Sequence, residues 1–266
     1  MQAWQGIPEA ELERPKGLGW LLLTFRLALI ASTILTMFIP LIILRTVGKK
    51  NAGQLIVKLA CMGSLFFMGI RLIRVGKPMQ YAGAVVANHS SWLDIFVLNA
   101  AQKVYFVSKA EVRKWPFIGM IAKHVGTVFI RRLRSDAINQ KNVFLERIFL
   151  GDKLLFFPEG TSTDGRRVLP FKSSLFAAFF EKGALELTWI QPVTVNYVAP
   201  KSKRRNWYGW WAEMGFFAAF IMVLSEWKQG SVELIFHDPL SVAEFSDRKE
   251  LALAAEAAVF AGLKLR

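Results

Sequence analysis

His89 and Asp94 stand five residues apart in the segment Asn88-His89-Ser90-Ser91-Trp92-Leu93-Asp94. A histidine paired with a carboxylate can act as a general base. The carboxylate fixes the ring tautomer and stabilises the imidazolium, while the second ring nitrogen takes a proton from an attacking hydroxyl. Residues five apart do not share a face within one regular helix, so the pairing requires His89 to lie in a turn ahead of a helix that begins near Asp94. The apolar run Ala84 to Ala87 supplies a strand leading into that turn. Strand–turn–helix geometry then puts His89 at a strand's carboxyl end, where α/β folds build their sites. Ser90 or Ser91 is expected to cap the helix. His124 and His237, the other two of three histidines, have no such partner and are expected to be structural.

The pair is a triad without its serine. There is no Gly-x-Ser-x-Gly elbow, and the one cysteine, Cys61, sits in an apolar stretch, so the nucleophile is expected to be a hydroxyl of the acceptor itself. A lone cysteine also excludes an intramolecular disulfide and a thiolate metal site. The chemistry needs no metal and no cofactor beyond an activated co-substrate.

A second cluster, Pro158-Glu159-Gly160-Thr161-Ser162-Thr163-Asp164-Gly165, follows the apolar run Leu154 to Phe157. Glycines there let backbone amides approach a ligand, and the amides of Gly160 and Thr161 are candidates to stabilise a tetrahedral oxyanion. Lys109, Arg131 and Arg132 fall between the two clusters, and Arg166, Arg167 and Lys172 follow the second. So many cations imply a negatively charged acceptor or carrier.

These residues must be positioned by a sheet. After Pro78 the chain alternates short β-rich apolar runs with helical stretches, the pattern of an α/β domain with a central sheet flanked by helices. Expected strands are Ala84 to Ala87, Val104 to Val107, Thr127 to Ile130, Leu154 to Phe157, Ile190 to Tyr197 and Val232 to Phe236. Expected helices are Trp92 to Ala100, Pro116 to His124, Ala137 to Phe149, Ser174 to Lys182 and Asp247 to Leu263. With 266 residues the chain has room for one large domain and a short appended element.

That element is amino-terminal. Leu27 to Leu44 carries no charge, and eighteen residues span about 27 Å as a helix, just short of a bilayer core. A second run, Leu55 to Ile70, is interrupted by Lys58 and suits an interfacial helix. Arg45, Lys49 and Lys50 lie between the runs, so a shallow hairpin bent at Pro40 fits the positive-inside tendency better than two full spans. The expected division is a membrane-associated helical hairpin over 1–74 and a catalytic domain over 75–266. The basic loop Pro200 to Asn206 and the aromatic run Trp207 to Trp227 suit either a membrane interface or core packing.

The chain is 53% hydrophobic with 22 Phe and 9 Trp, yet carries a formal charge of +14. A nucleic-acid binder concentrates cations without this apolar load, so that class is set aside. An anionic membrane surface suits both properties, each Lys or Arg contributing about 1 kcal/mol near the headgroups. An acidic acyl carrier protein would be attracted equally.

Four blocks carry a resemblance: Asn88-His89 through Asp94, Gly126 to Arg131, Phe157-Pro158-Glu159-Gly160-Thr161, and Gln191-Pro192-Val193. Together they resemble the lysophosphatidic acid acyltransferase family, with its His-x4-Asp motif, over roughly residues 75 to 240. The resemblance implies a glycerolipid-acyltransferase-like α/β fold and lipid biosynthesis on the cytosolic face of the inner membrane. The implied substrates are a lysolipid and an acyl carrier protein or coenzyme A thioester. It implies that His89 and Asp94 are catalytic, that Arg131, Glu159 and Gly160 bind the acceptor, with Thr161 and Lys109 beside them, and that Pro192 lies on the acyl-donor side. Family members acting on lysophosphatidic acid commonly carry Arg after Glu-Gly-Thr, where this chain has Ser162. The stretch Phe157 to Phe171 and Tyr208-Gly209-Trp210-Trp211 look more like bacterial relatives that O-acylate lyso-aminolipids such as lyso-ornithine lipid. The alternatives are a 1-acyl-sn-glycerol-3-phosphate acyltransferase making phosphatidic acid, a hydrolase releasing free fatty acid, and a non-catalytic membrane adaptor. The intact His89, Asp94, Glu159 and Gly160 argue against the last.

Overall fold

The run Gly83-Ala84-Val85-Val86-Ala87 carries no polar side chain, and such a strand is stable only with both faces covered. It forms the middle of the sheet, all five residues buried. The structure, a computed structural model, describes residues 4–7, 10–130 and 137–264, with the side chains of 50 and 137–140 outside that description. In chain order the elements are α1 (Gly19–Thr46), α2 (Lys50–Met68), β1 (Arg71–Val75), β2 (Gly83–Ala87), α3 (Asp94–Ala101), β3 (Tyr105–Lys109), α4 (Ile118–His124), β4 (Val128–Ile130), α5 (Ala137–Phe149), β5 (Lys153–Phe156), β6 (Trp189–Val198), α6 (Phe216–Ser225), β7 (Ser231–Phe236), β8 (Leu240–Ser241) and α7 (Arg248–Ala261).

The sheet runs β1-β7-β6-β2-β5-β3-β4, with β8 also pairing β6. From β6 to β4 all neighbours are parallel, so their carboxyl ends share one edge. β7 runs antiparallel to β6, and β1 follows β7. One face is covered by α2, α3 and α6, through Leu65, Met68, Leu93, Leu98, Val223 and Leu224. The other is covered by α5, α7 and the 3₁₀ turns Ser173–Phe180, through Phe144, Phe176, Phe179, Leu251 and Val259.

All six expected strands form, within a residue or two of their expected ends. The helix expected over Ser174 to Lys182 is instead a run of 3₁₀ turns, Ser173–Phe180. β1 was not expected, because its Arg-Leu-Ile-Arg-Val sequence is half exposed at the sheet edge and lacks a clear apolar alternation. This strand straddles the division placed after residue 74 and ties the hairpin directly into the sheet.

α1 begins well before Leu27 because the one charge in its path, Arg26, is buried and satisfied. Its guanidinium donates to the carbonyls of Leu224 at 3.0 Å and Glu226 at 2.6 Å. The helix continues through Pro40 to Thr46. Its 28 residues extend about 42 Å. Leu21, Phe25, Leu35, Ile39 and Ile43 all point outward and are more than half exposed. α2 is two-sided, burying Val57, Cys61, Leu65 and Met68 while exposing Leu59, Met62 and Phe66. Both helices are long and apolar enough to cross a membrane. The aromatic run after Trp207 divides: Trp207, Tyr208 and Trp211 are core residues, whereas Phe217 and Trp227 face outward.

Candidate active site

β2 and β5 are parallel neighbours, so the turn after Ala87 and the loop after Phe156 emerge side by side. The first turn is tied to the sheet by Asn88. Its amide group donates to Val195 O at 3.0 Å and accepts from Val195 N at 2.7 Å, continuing the β2–β6 pairing by one residue. The next residue, His89, therefore leaves the sheet at a fixed point.

Asp94 is fully buried and accepts four hydrogen bonds. His89 Nδ1 lies 2.7 Å from Oδ2, which also receives the amides of Ser90 at 2.9 Å and Ser91 at 3.0 Å. Tyr197, at the end of β6, donates its hydroxyl to Oδ1 at 2.8 Å. The first turn of α3 thus begins with a carboxylate receiving amides from the turn before it, a favourable position for a negative charge. The serine side chains do not cap α3, contrary to expectation: no side chain caps its first turn, and Ser91 Oγ accepts from Leu93 N, ahead of the helix, at 3.3 Å. Asp94 instead reaches back and ties down the turn ahead of the helix.

These partners keep Asp94 an acceptor, which makes Nδ1 of His89 the protonated nitrogen and leaves Nε2 to take a proton. Phe157 stacks on the imidazole at 4.1 Å with an interplanar angle of 9°. The ring is held by a hydrogen bond at one edge and by an aromatic face across it, and its side chain is one-fifth exposed.

Glu159 is almost wholly buried. Its two oxygens accept from His89 N and Leu169 N, both at 2.7 Å. Burial pushes its carboxyl up to about 8, outweighing the two amide hydrogen bonds that favour the charged form. Its two oxygens clamp the His89 turn to the loop after β5. Thr163 N adds a second clasp, donating to His89 O at 2.9 Å.

Gly160 adopts φ +73°, and a Cβ there would come within 2.5 Å of Lys172 Nζ, so only glycine lets that ammonium lie over the loop. The Gly160 amide donates within its own turn to Phe157 O at 3.0 Å. This amide, expected from sequence to be free for an oxyanion, is in the fold engaged within its own turn. Thr161 Oγ1 accepts from Trp4 N at 3.2 Å. Arg167 forms two hydrogen bonds with the buried Asp164, at 3.0 and 3.1 Å, and stacks over the Trp4 ring at 4.7 Å. Arg166 sits beside it, its amide donating to Asp164 Oδ1 at 3.2 Å.

Lys109 is exposed at the end of β3 on the same sheet edge. Arg131 and Arg132 follow the last residue of β4 and lie outside the described residues. Pro192 does not line the mouth of the site. It is buried inside β6 opposite Val86, at the gap where the outer partner of β6 changes from β8 to β7, so its missing N–H interrupts little. Next to it Gln191 binds the carbonyls of Lys77 and His237 and the amide of Met79, which makes this block a structural staple.

Sequence reasoning missed Tyr197 and the stacking role of Phe157. Tyr197 lies 103 residues from Asp94. Only the strand order that places β6 beside β2 brings the two together, and no local motif announces it.

A partly exposed histidine held by a buried aspartate at the carboxyl edge of the parallel strands is an arrangement able to take a proton from a hydroxyl. The acyltransferase family model matches residues 77–196. The chain is 51% identical to the lyso-ornithine lipid O-acyltransferase of Rhodobacter capsulatus, over 82% of this chain and 79% of that one. It is 37% identical to the enzyme of the same name from Brucella abortus, over 71% and 74%. The crystal structure of the 1-acyl-sn-glycerophosphate acyltransferase PlsC from Thermotoga maritima superposes with a TM-score of 0.66 at 21% identity, covering 91% of this chain and 94% of that one, and so shares the fold. The chain belongs to the acyltransferase family and is an enzyme that transfers acyl groups.

Proposed function

We propose that this enzyme transfers a fatty acyl group from an acyl carrier protein or coenzyme A thioester to the free hydroxyl of a lyso-aminolipid of the lyso-ornithine type. In this reading it works at the cytosolic face of the inner membrane, with α1 and α2 as its anchor. The observation that carries the chemistry is His89, its Nδ1 bound to a four-times hydrogen-bonded Asp94. Nε2 takes the proton of the acceptor hydroxyl as its oxygen attacks the thioester carbonyl. The tetrahedral intermediate then collapses, the C–S bond breaks, and Nε2–H returns the proton to the departing thiolate. An ester and a free thiol result.

Several features support an aminolipid headgroup. Ser162 follows Glu-Gly-Thr, where phosphate-using members of the family commonly carry arginine. Arg167 is already paired with Asp164 in the same loop. With Arg167 neutralised by the buried Asp164, the loop gathers less uncompensated positive charge than a phosphomonoester calls for, which suits a headgroup carrying a single carboxylate. Lys172 over Gly160 supplies a cation near the reacting centre, and Arg131 and Lys109 are further acceptor-side groups. The Rhodobacter capsulatus and Brucella abortus relatives carry lyso-ornithine lipid in their names.

The test is kcat/KM for lyso-ornithine lipid, other lyso-aminolipids and lysophosphatidic acid, each with acyl carrier protein and coenzyme A donors. The expected result is clear preference for an aminolipid acceptor. Preference for lysophosphatidic acid overturns it in favour of phosphatidic acid synthesis.

A further inference from the structure

Phe117 combines two costs. Its backbone sits at φ 59°, ψ −49°, a region that bulky side chains avoid, and its ring is 79% exposed. Neither feature helps the chain fold, since the ring packs into no core. Trp115 and Met120 in the same segment also point outward, at 39% and 49% exposure, as does Phe217 at 73%, next to the Phe216 ring that Trp115 meets.

We infer that the Trp115–Phe117 corner, with Met120 and Phe217, is a second membrane-contacting surface that seats the catalytic turn in the lipid headgroup layer beside α1. Three observations select a lipid surface over another occupant. The first is continuity with the apolar hairpin. One end of the segment is held to α1, where the His124 ring meets Phe38 at 5.1 Å and Arg45 donates to Val125 O at 2.8 Å. The other end is held to α6, where Trp115 meets Phe216 at 6.2 Å, and α6 itself packs along α1. The corner therefore lies on the flank of the longest apolar helix among the described residues. The second is charge. Arg113, Lys114 and Lys123 flank the exposed aromatics against one acid, Glu111, and cations beside aromatic rings suit anionic headgroups.

The third is the link to the site. Phe216 also contacts Trp92 at 5.9 Å and Trp210 at 6.2 Å. Trp92 belongs to the His89–Asp94 segment, and Trp210 N donates to Ser90 O at 2.9 Å. Two aromatic contacts thus separate the exposed corner from the catalytic turn. With the corner inserted, a lysolipid keeps its acyl chain in the bilayer and raises only its hydroxyl to His89. The strained Phe117 backbone aims a ring at lipid where a glycine would be easier to accommodate.

This inference rests on the lipid-acceptor reading, but its first test needs no turnover. The full chain carrying Cys61→Ala and Phe117→Cys is labelled with nitrobenzoxadiazole and reconstituted into phosphatidylethanolamine–phosphatidylglycerol vesicles. Doxyl-labelled acyl chains are expected to quench the label by more than about half. The same label at Leu253→Cys, exposed on α7, should stay unquenched. A label at 117 that remains as water-exposed as the one at 253 overturns the inference. Phe117→Gly supplies the second arm: it should melt at or above the wild-type temperature, because glycine relieves the strain. It should also lose about five- to tenfold in rate on vesicle-borne lysolipid while keeping its rate on detergent-dispersed lysolipid. Full activity of Phe117→Gly on vesicles contradicts the inference, as does a marked loss of stability. If no lysolipid is acylated by any variant, the function reading fails and the quenching result still decides this one.

Discussion

Tyr197 donates its hydroxyl to Asp94 Oδ1 at 2.8 Å, joining the end of β6 to the start of α3 across 103 residues of sequence. Burial and the neighbouring carboxylate push the phenol well above its ordinary range, so it stays a donor. It holds the carboxylate in the rotation that presents Oδ2 to His89. Tyr197→Phe leaves Oδ1 buried without the phenol as its partner. Hydrogen bonds to charged groups contribute about 1.5–3 kcal/mol, so kcat is expected to fall by about tenfold or more with KM little changed. Steady-state kinetics beside a melting curve check this.

Asp94→Asn removes the negative charge and half of the acceptor capacity. An asparagine must turn its NH₂ toward Tyr197, because the opposite rotation sets it against the Ser90 and Ser91 amides; the Tyr197 hydroxyl then accepts, and its own proton loses Asp94 as acceptor. Leaving a buried donor unmatched costs about 1–3 kcal/mol. The variant is therefore expected to lose about 10²- to 10⁴-fold in kcat and to melt several degrees lower, about 2–4 °C per kcal/mol. Calorimetry and kinetics on one preparation measure both.

Glu159 makes stability depend on pH. Its folded-state carboxyl is pushed up to about 8 from the ordinary 4.5, so between those values the folded chain holds a proton that the unfolded chain has lost. Stability from this group is fully present below about 4.5 and declines as pH rises through about 8. Melting temperature should fall across that window in the wild type. In Glu159→Gln this part of the slope should vanish, and the whole curve should drop because either the His89 or the Leu169 amide then faces an NH₂ group. Melting curves at a series of pH values test both statements.

The sequence placed the strands well because β2, β5 and β6 are buried apolar runs with a turn after each, and it placed His89 with Asp94 because the turn between them is local. It did not reveal β1, whose two arginines and edge position hide the strand pattern. Deleting residues 1 to 74 would therefore cut most of a sheet strand along with the anchor. Arg26 shortened the apparent span of α1, because its carbonyl partners at Leu224 and Glu226 are distant in the chain. Tyr197 and the Glu159 clasp were invisible for the same reason. Composition could not divide the run after Trp207, since buried Trp211 and outward Phe217 look alike until α6 is packed against α1.

The central claim is that His89 Nε2 takes the proton from the acceptor hydroxyl, and purified His89→Ala tests it most directly. Its rate of acyl transfer from a thioester to lyso-ornithine lipid is measured beside its melting temperature. His89 is partly exposed and lies in a turn held by Glu159, Asn88 and Thr163, so the fold should survive its truncation. The expected result is a loss of about 10²- to 10⁴-fold in kcat with the melting temperature nearly unchanged. A folded His89→Ala protein that transfers acyl groups at the wild-type rate would contradict the account.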